Sequence, residues 1–388
     1  MFLAKLIFYI LYFYSIVFII SHIFIITGII ISFKREKAAD ASASEKAYGS
    51  NIKAHPLKVS VIIPARDEAE TLPALLESLA CQSCSIYEIV LINDRSRDNT
   101  LEVMKKYQEK SQGLIKIIDN KNISDGKNPK QAALALAEDV AIGDIFLYTD
   151  ADCHVPKDWV LNMLKPFGDD KVGLVFGTVT VNKGKTLLEK FQQYDHLLRY
   201  HYTVACAGLN IPTGGFGNNL AVRRTALLEA GGFKELEYSV TEDAQLIAKI
   251  RNSGKWKIVA QTSLKSMVNT TPVKSWKELY DQELRWSTGA MHAPDIAAKA
   301  GYGYIMYQLL TGVAVFIPAF FYPQLFLIFF TGIVSMLSVS ITYGIHLKLE
   351  KSFWLTLPLS LFIAQFLFPV VTLIATFKPG IYWKGDKL

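Results

Sequence analysis

The sequence predicts an α/β fold on a mainly parallel, Rossmann-like sheet, joined to segments able to cross a membrane. Three observations carry this. Short β-branched runs alternate with helical stretches between about Lys58 and Asp152. Acidic residues stand where those runs end. The excess of apolar residues, which reach 51% against 20% charged, is gathered at the two ends of the chain.

Taken in order, Leu6 to Phe33 is an almost uninterrupted apolar run. It exceeds the roughly 20 residues a helix needs to cross about 30 Å of hydrocarbon. A cleaved leader would have a shorter apolar core and small residues close behind it. Lys34, Arg35 and Lys37 follow instead, which predicts the next segment in the cytoplasm. Residues 1–33 are therefore expected as a transmembrane helix. Residues 34–56 are small and polar, without a periodic apolar face, and read as a flexible linker.

The α/β domain is expected over 57–300. VSVIIP (Val59–Pro64) has the composition of a strand buried on both faces. Leu72, Leu75, Leu76 and Leu79 share one helical face within Thr71–Leu79. Then come EIVLIND (Glu88–Asp94), a helix through Met104–Tyr107, LIKIID (Leu114–Asp119), a helix near Gln131–Ala141, and DIFLYTDAD (Asp144–Asp152). About three transmembrane helices are expected over 301–377, from the runs Tyr304–Tyr322, Gln324–Tyr343 and Trp354–Phe377. The first two form a hairpin turning at Tyr322-Pro323. A basic tail, 378–388, closes the chain. Lysines flank the last span on both sides, so its orientation stays open.

The formal charge of +6 is modest, and no basic run is long enough to argue for nucleic acid. Cys81 and Cys84 form a C-x-x-C, but no second pair or nearby His pair completes a zinc site. They read as small residues beside a helix end. His154, His196 and His201 lack metal-ligand spacing and read as surface or packing residues.

In parallel sheets ligands bind beyond the carboxyl ends of strands. The first strand ends in Pro64-Ala65-Arg66-Asp67-Glu68 and the second in Asn93-Asp94-Arg95-Ser96. A nucleotide needs a carboxylate for its base or ribose donors, and Asp94 and Glu68 can supply one; Asp94-x-Ser-x-Asp98 can equally cap the next helix. Asp150-Ala151-Asp152 ends an apolar strand. Two carboxylates at i, i+2 can converge on Mg²⁺ or Mn²⁺ as the chain leaves the sheet, because these ions take one or two protein carboxylates plus phosphate oxygens.

Six motifs in order give the region Val59 to Trp286 its resemblance to the inverting, GT-A-type glycosyltransferases of family 2. They are VIIPARDE, LINDRSRDNT, the TDAD that matches a D-x-D, and Gly214-Gly215-Phe216-Gly217-Asn218-Asn219 with Arg223-Arg224. Thr241-Glu242-Asp243 and Gln282-Glu283-Leu284-Arg285-Trp286 complete the set. The resemblance implies a GT-A nucleotide-diphospho-sugar transferase fold. Asp94 then contacts the base, with Pro64, Arg66 and Glu68 on the same donor side. Asp150 and Asp152 hold the diphosphate through Mg²⁺ or Mn²⁺, Asp152 more directly. Asp243 is the general base and Glu242 its helper. Gln282, Arg285 and Trp286 line the donor site, and Gly214, Gly215 and Asn218 lie on the acceptor side. Asn93 departs from members carrying a second acid there. In Asp125-Gly126-Lys127-Asn128-Pro129-Lys130 both lysines are candidates for the family's donor lysine, and Lys130 is favoured because it stands immediately before the helix.

These expectations describe a membrane-bound, metal-dependent enzyme with a nucleotide-sugar donor, a UDP-sugar by resemblance, and a membrane-associated acceptor. A lipid acceptor is the first reading and a glycan chain, as in a processive polysaccharide synthase, the second. A non-catalytic nucleotide-sugar sensor or scaffold on the same fold is the reading from another class.

Overall fold

The computed structural model describes residues 2–48, 57–122, 128–181, 184–293, 296–377, 382–383 and 386–387. The order begins α1 (Phe2–Tyr48), β1 (Val59–Ala65), α2 (Leu72–Ala80), β2 (Glu88–Asp94), α3 (Thr100–Lys110), β3 (Ile115–Asn120), α4 (Pro129–Val140) and β4 (Ile145–Tyr148). Next come β5 (Cys153–His154), α5 (Trp159–Leu164), β6 (Val172–Gly177), β7 (Val179–Val181), α6 (Leu187–Gly208), β8 (Leu220–Arg223), α7 (Arg224–Glu229), α8 (Gly232–Glu235) and α9 (Glu242–Asn252). The order ends with β9 (Lys257–Gln261), β10 (Val268–Thr270), α10 (Trp276–Met291), α11 (Ile296–Ala319), α12 (Leu325–His346), α13 (Lys351–Phe377), β11 (Tyr382–Trp383) and β12 (Asp386–Lys387).

The chain forms two compact units. One comprises Ile31–Asn182 and Cys206–Thr271, the other Met1–Ile30, Lys183–Ala205 and Pro272–Leu388. A continuous domain over 57–300 is therefore not what the contacts show: 183–205 and 272–300 belong with the apolar helices. The first unit holds a seven-stranded sheet in the order β3-β2-β1-β4-β8-β6-β9. β3, β2, β1 and β4 are parallel, β8 runs antiparallel to both β4 and β6, and β9 is parallel to β6. Val61, Ile62, Ile63, Leu91, Ile92 and Leu147 are wholly buried, as continuous β-branched runs covered on both faces should be. The register Ala65↔Asn93 and Asp94↔Asn120 brings the ends of β1, β2 and β3 to one edge. Because β8 is reversed, its first residue Leu220 pairs with Tyr148, the last of β4. The glycine segment before β8 thus reaches the edge where the parallel strands end.

The stretch 34–56, expected as a linker, is helical as far as Tyr48, and 49–56 lie outside the described residues. Its alanines are strong helix formers, and no Gly or Pro interrupts them before Gly49. Tertiary contacts hold it too: Arg35 donates to the Ala207 carbonyl at 3.2 Å, Glu36 accepts from Thr262, and Asp40 pairs with Lys165 at 2.5 Å.

In the second unit, α11 and α12 form the expected hairpin. Tyr322 N donates to Pro318 O at 2.9 Å and Leu325 N to Tyr322 O at 2.9 Å. α13 is tied to α11 by Gln365 Nε2, which donates to Leu309 O at 3.0 Å. A Cβ at Gly312 would lie 2.4 Å from that nitrogen, so a side chain there would displace the Gln365 amide. Among the described residues three helical segments are long and apolar enough to cross a membrane: Phe8–Ala41, Leu325–His346 and Lys351–Phe377. In α11 the apolar stretch is the shorter Leu309–Ala319. Of the tail, residues 382–383 pair antiparallel with 386–387.

The first unit is pinned by Asn219, which has no exposed surface. Its Nδ2 donates to Thr178 O at 2.7 Å and Ser266 O at 2.9 Å, and its Oδ1 accepts from Trp159 Nε1 at 2.9 Å. Truncation strands the Trp159 indole N–H and the Ser266 carbonyl, at about 1–3 kcal/mol each, while Thr178 O keeps its bond from Val268 N at 2.9 Å. Asn219→Ala is expected to lose on the order of 3 kcal/mol or more in chemical denaturation of the detergent-solubilised protein; a loss below about 1 kcal/mol contradicts this role.

Candidate active site

Loop chemistry at the sheet edge sets the residues that follow β1 and β2. Asp94 is buried and held from two sides: Asn120 Nδ2 donates to Oδ1 at 2.9 Å, while Arg95 Nε and Nη2 reach Oδ1 and Oδ2 at 3.0 and 3.2 Å. Asn93 is buried too, and its Nδ2 donates sideways to Asp119 Oδ1 at 2.7 Å. The loops after β1 and β2 are stitched together. Arg97 N donates to Asp67 Oδ1 at 2.7 Å, Asp67 N to Ser96 Oγ at 3.1 Å, Glu68 N to Thr100 Oγ1 at 2.8 Å and Ala69 N to Asp98 Oδ2 at 3.0 Å. Asp98 Oδ1 also accepts from Thr100 N at 3.0 Å just ahead of α3, whose N-cap position is Asn99. Pro64 is half-buried and Arg66 buried at the end of β1.

β4 stops at Tyr148, and Asp150-Ala151-Asp152 forms the turn into β5, closed by Cys153 N donating to Asp150 O at 3.1 Å. Asp152 is held from below. Thr270 Oγ1 donates to its Oδ2 at 3.2 Å, and Thr271 N and Oγ1 donate to its carbonyl at 3.2 and 3.0 Å. Burial, with the charges of Asp150 and Glu68 added, pushes the Asp152 carboxyl up to about 6. The charge of Glu68 thus bears on Asp152; its Oε2 also accepts from Thr71 Oγ1 at 2.5 Å.

Lys130 joins this acid pair to the Thr241-Glu242-Asp243 segment. Asn128 caps α4 by accepting from Lys130 N at 2.9 Å, with Pro129 in the first turn, so the lysine leaves the helix start at a fixed angle. Its Nζ is 2.6 Å from Asp150 Oδ1 and 3.6 Å from Glu242 Oε1. Burial favours its neutral form, but Asp150 and Glu242 outweigh burial and hold the ammonium charged. Lys127, the other candidate, lies outside the described residues.

Asp243 stands in the first turn of α9, facing the glycine segment. Its Oδ2 accepts from Gly217 N at 2.8 Å and its Oδ1 from Ala244 N at 2.8 Å. Burial, helped by Asp150, raises its pKa against the opposing pull of Lys130 and the two amides. Glu242 is raised likewise, chiefly by burial, and accepts from Asn128 Nδ2 at 3.3 Å. Asn218 Nδ2 contacts Cys153 Sγ at 3.6 Å, linking the glycine segment to the residue after Asp152; Gly214 and Gly215 are half-buried beside it in sequence. Arg223 serves the fold, donating to the carbonyls of Val172 at 2.9 Å and Phe167 at 3.1 Å.

Asp150, Asp152, Lys130, Glu242, Asp243 and Glu68 therefore form one electrostatic cluster. Gln282, Arg285 and Trp286 lie on α10 in the other unit. Gly217 belongs to the glycine segment that the sequence singles out, whereas Asn128, Cys153 and Thr270 join the site from the structure alone; of these three the Asn-Pro pair opening α4 has a local signal.

The whole arrangement falls within a family. The model of "Glycosyl transferase family 21" matches residues 17–388. The chain belongs to glycosyl transferase family 21. The GT-A glycosyltransferase character drawn from the motifs holds for this family-21 chain, under another family number than the motifs suggested. It is 27% identical over 318 residues to "Probable glycosyltransferase YdaM" of Bacillus subtilis, covering 78% of this chain and 70% of that one. It is 34% identical over 137 residues to the "Undecaprenyl-phosphate 4-deoxy-4-formamido-L-arabinose transferase" of Salmonella choleraesuis, a match over 34% of this chain and 40% of that relative. Among solved structures it is similar to a mannosyltransferase from Pyrobaculum calidifontis in complex with GDP-Man and Mn²⁺. There identity is 16% and the TM-score 0.49, over 91% of this chain and 97% of that one.

The family-21 chain makes one steric demand at Gly217. A Cβ there would sit 3.2 Å from Asp243 Oδ2 and 3.3 Å from its Cβ. Gly217→Ala is expected to displace Asp243 and lower sugar transfer on the order of tenfold, with the circular dichroism spectrum unchanged. Wild-type turnover in this variant would show that Asp243 tolerates the shift.

Proposed function

We propose that this glycosyltransferase moves a sugar, with inversion, from a UDP-sugar to a lipid acceptor in the membrane, using Mg²⁺ or Mn²⁺. The observation that carries the reading is the acid cluster around Lys130, where Asp150 and Asp152 stand on one side and Glu242 and Asp243 on the other. Inverting transfer is a single displacement. The acceptor hydroxyl gives its proton to a base, its oxygen bonds to the anomeric carbon, and the bond to the diphosphate oxygen breaks, so the nucleoside diphosphate leaves with the electron pair.

Asp243 suits the base. Its raised pKa makes it a better proton acceptor than an exposed carboxylate, and the Gly217 and Ala244 amides fix its two oxygens. Glu242 orients beside it, its charge balanced by Lys130. Asp94 accepts from the base of the nucleotide, with Asn120 and Arg95 holding its carboxylate in place.

The residues fit a hard divalent ion. Asp152 carries an excess of negative charge from Asp150 and Glu68 that a cation relieves. Mg²⁺ and Mn²⁺ take one or two protein carboxylates and complete their shell with phosphate oxygens and water. Asp152 and Asp150 would hold it, and when bound it would neutralise charge on the departing diphosphate. On the strength of their motif, Gln282, Arg285 and Trp286 serve the donor side, with Arg285 for the pyrophosphate. Gly214, Gly215 and Asn218 serve the acceptor side.

A lipid acceptor is supported by the three apolar helices and by the undecaprenyl-phosphate substrate named for one relative. The Lys34, Arg35 and Lys37 cluster supports a cytoplasmic catalytic unit. A screen of UDP- and GDP-sugars, with mass spectrometry of the lipid extract, tests donor and acceptor together. A high-molecular-weight glycan product would favour a processive synthase instead.

Asp152→Asn and Asp243→Asn are each expected to nearly abolish transfer while leaving the protein folded; full activity in either removes the role given to it. Chelation should stop transfer, with Mg²⁺ or Mn²⁺ restoring it. Since the base works deprotonated and its pKa is raised, kcat/KM should rise with pH through a midpoint above the ordinary carboxyl value of about 4. The residual rate of Asp243→Asn should lack that limb. A limb that survives the substitution assigns it to another group.

A further inference from the structure

In the unit that holds the apolar helices, α6 turns one face toward α10 and α13. Phe191, Gln192, Asp195, His196 and Arg199 recur at helical spacing along it. The Phe191 ring lies 5.8 Å from Trp276, the first residue of α10, and 6.2 Å from Phe368 of α13. Gln192 makes a two-point bond to the backbone just before α10: its Nε2 donates to Val273 O at 3.1 Å and its Oε1 accepts from Val273 N at 2.8 Å. His196 meets the Trp286 ring edge-on at 5.7 Å.

Arg199 gathers the strongest of these contacts. Its Nε donates to both Asp195 oxygens, at 2.9 and 3.2 Å, and its Nη2 donates to Glu283 Oε2. The guanidinium lies over the Trp286 ring at 4.6 Å and near Phe368 at 5.7 Å. The Asp195 and Glu283 side chains are each 1% exposed. Two residues of the Gln282–Trp286 segment are thus gripped by one guanidinium, Glu283 by charge and Trp286 by its face. Buried ion pairs add little net stability over apolar packing, so what this arrangement supplies is orientation.

We propose that Arg199 is the positioning residue of the Q-x-x-R-W segment, fixing the rotation of α10 and the plane of Trp286. The proposal rests on the donor-side reading of Arg285 and Trp286 given above. Glu283 is held in that contact by the Arg199 Nη2 bond, and the pull of Arg199 opposes burial and Asp195, which push its carboxyl well above the ordinary range. An Arg→Lys change keeps the charge but loses both the fork and the flat face.

The test measures donor KM, kcat and melting temperature on the full chain in detergent, for Arg199→Lys, Trp286→Phe, their double variant and Arg285→Ala. Arg199→Lys should lose on the order of tenfold in kcat/KM, carried mainly by donor KM, with the melting temperature nearly kept. Its defect and that of Trp286→Phe should not add, the double variant lying within about twofold of the worse single one. A lowered melting temperature with unchanged constants, or fully additive defects, overturns the proposal. Wild-type constants in Arg199→Lys beside a defective Arg285→Ala overturn the positioning role and leave the donor-side reading standing. Wild-type constants in both Arg285→Ala and Trp286→Phe sink the donor-side reading and the proposal with it. Should Arg199→Lys fail to accumulate, Glu283→Gln, which weakens the same grip while keeping its shape, takes its place in the cycle.

Discussion

The ammonium group of Lys130 is the interaction on which the arrangement of the acids depends. Two carboxylates about 4 Å apart repel by roughly 4 kcal/mol at a protein-like dielectric, and several acids collect at this edge of the sheet. A fold that gathers them needs a fixed counter-charge, and Lys130 supplies it at 2.6 Å from Asp150 and 3.6 Å from Glu242. Its position is set by backbone geometry rather than by a flexible reach. Asn128 caps α4, Pro129 presets the first turn, and the lysine follows. The same ammonium lets the buried Glu242 and the half-buried Asp243 sit side by side at the start of α9, where the helix dipole also favours negative charge.

A second constraint is the reversal of β8. Ligands meet α/β sheets where parallel strands end, and Asp94 and the turn at Asp150–Asp152 obey that rule. The glycine segment reaches the same edge by the opposite route, as the entry to an antiparallel strand whose first residue pairs with the last of β4. The glycine segment that binds Asp243 and the acid pair Asp150 and Asp152 are therefore carried by different parts of the chain, yet tied through one sheet register. Gly217 completes the link, because its amide reaches Asp243 at a distance a side chain would crowd.

Much of this was legible from residues alone. β2 runs from Glu88 to Asp94 as its apolar run predicts, and β1 extends only one residue beyond the predicted Val59–Pro64, because burial on both faces demands an unbroken β-branched segment. The acids at the strand ends were legible for the same reason. The helix over 34–48 was not: small polar composition looks like a tether until Arg35, Glu36 and Asp40 find partners more than a hundred residues away. Asp98 and Asp94 show the same limit at short range. Both sit in one motif, and only the geometry separates the carboxylate that binds the loop amides ahead of α3 from the buried one. The antiparallel course of β8 likewise has no local mark, since Leu220–Arg223 is too short to declare its direction.

Arg199 shows why a motif can be complete in sequence and still lack the residue that orients it. Q-x-x-R-W names the residues proposed for the donor side. The group that holds them needs only to arrive in the right place, and it arrives from α6, some eighty positions earlier in the chain. Its partners are chemically mixed, two carboxylates and two aromatic faces, and guanidinium is the side chain that satisfies both at once: a fork in its plane and a cation above the rings. A buried charge in an apolar setting carries a large desolvation cost, and apolar packing would hold two helices together without it. Directional contacts do what apolar packing does not: they fix the rotation of α10 about its own axis, and that rotation sets where Trp286 points.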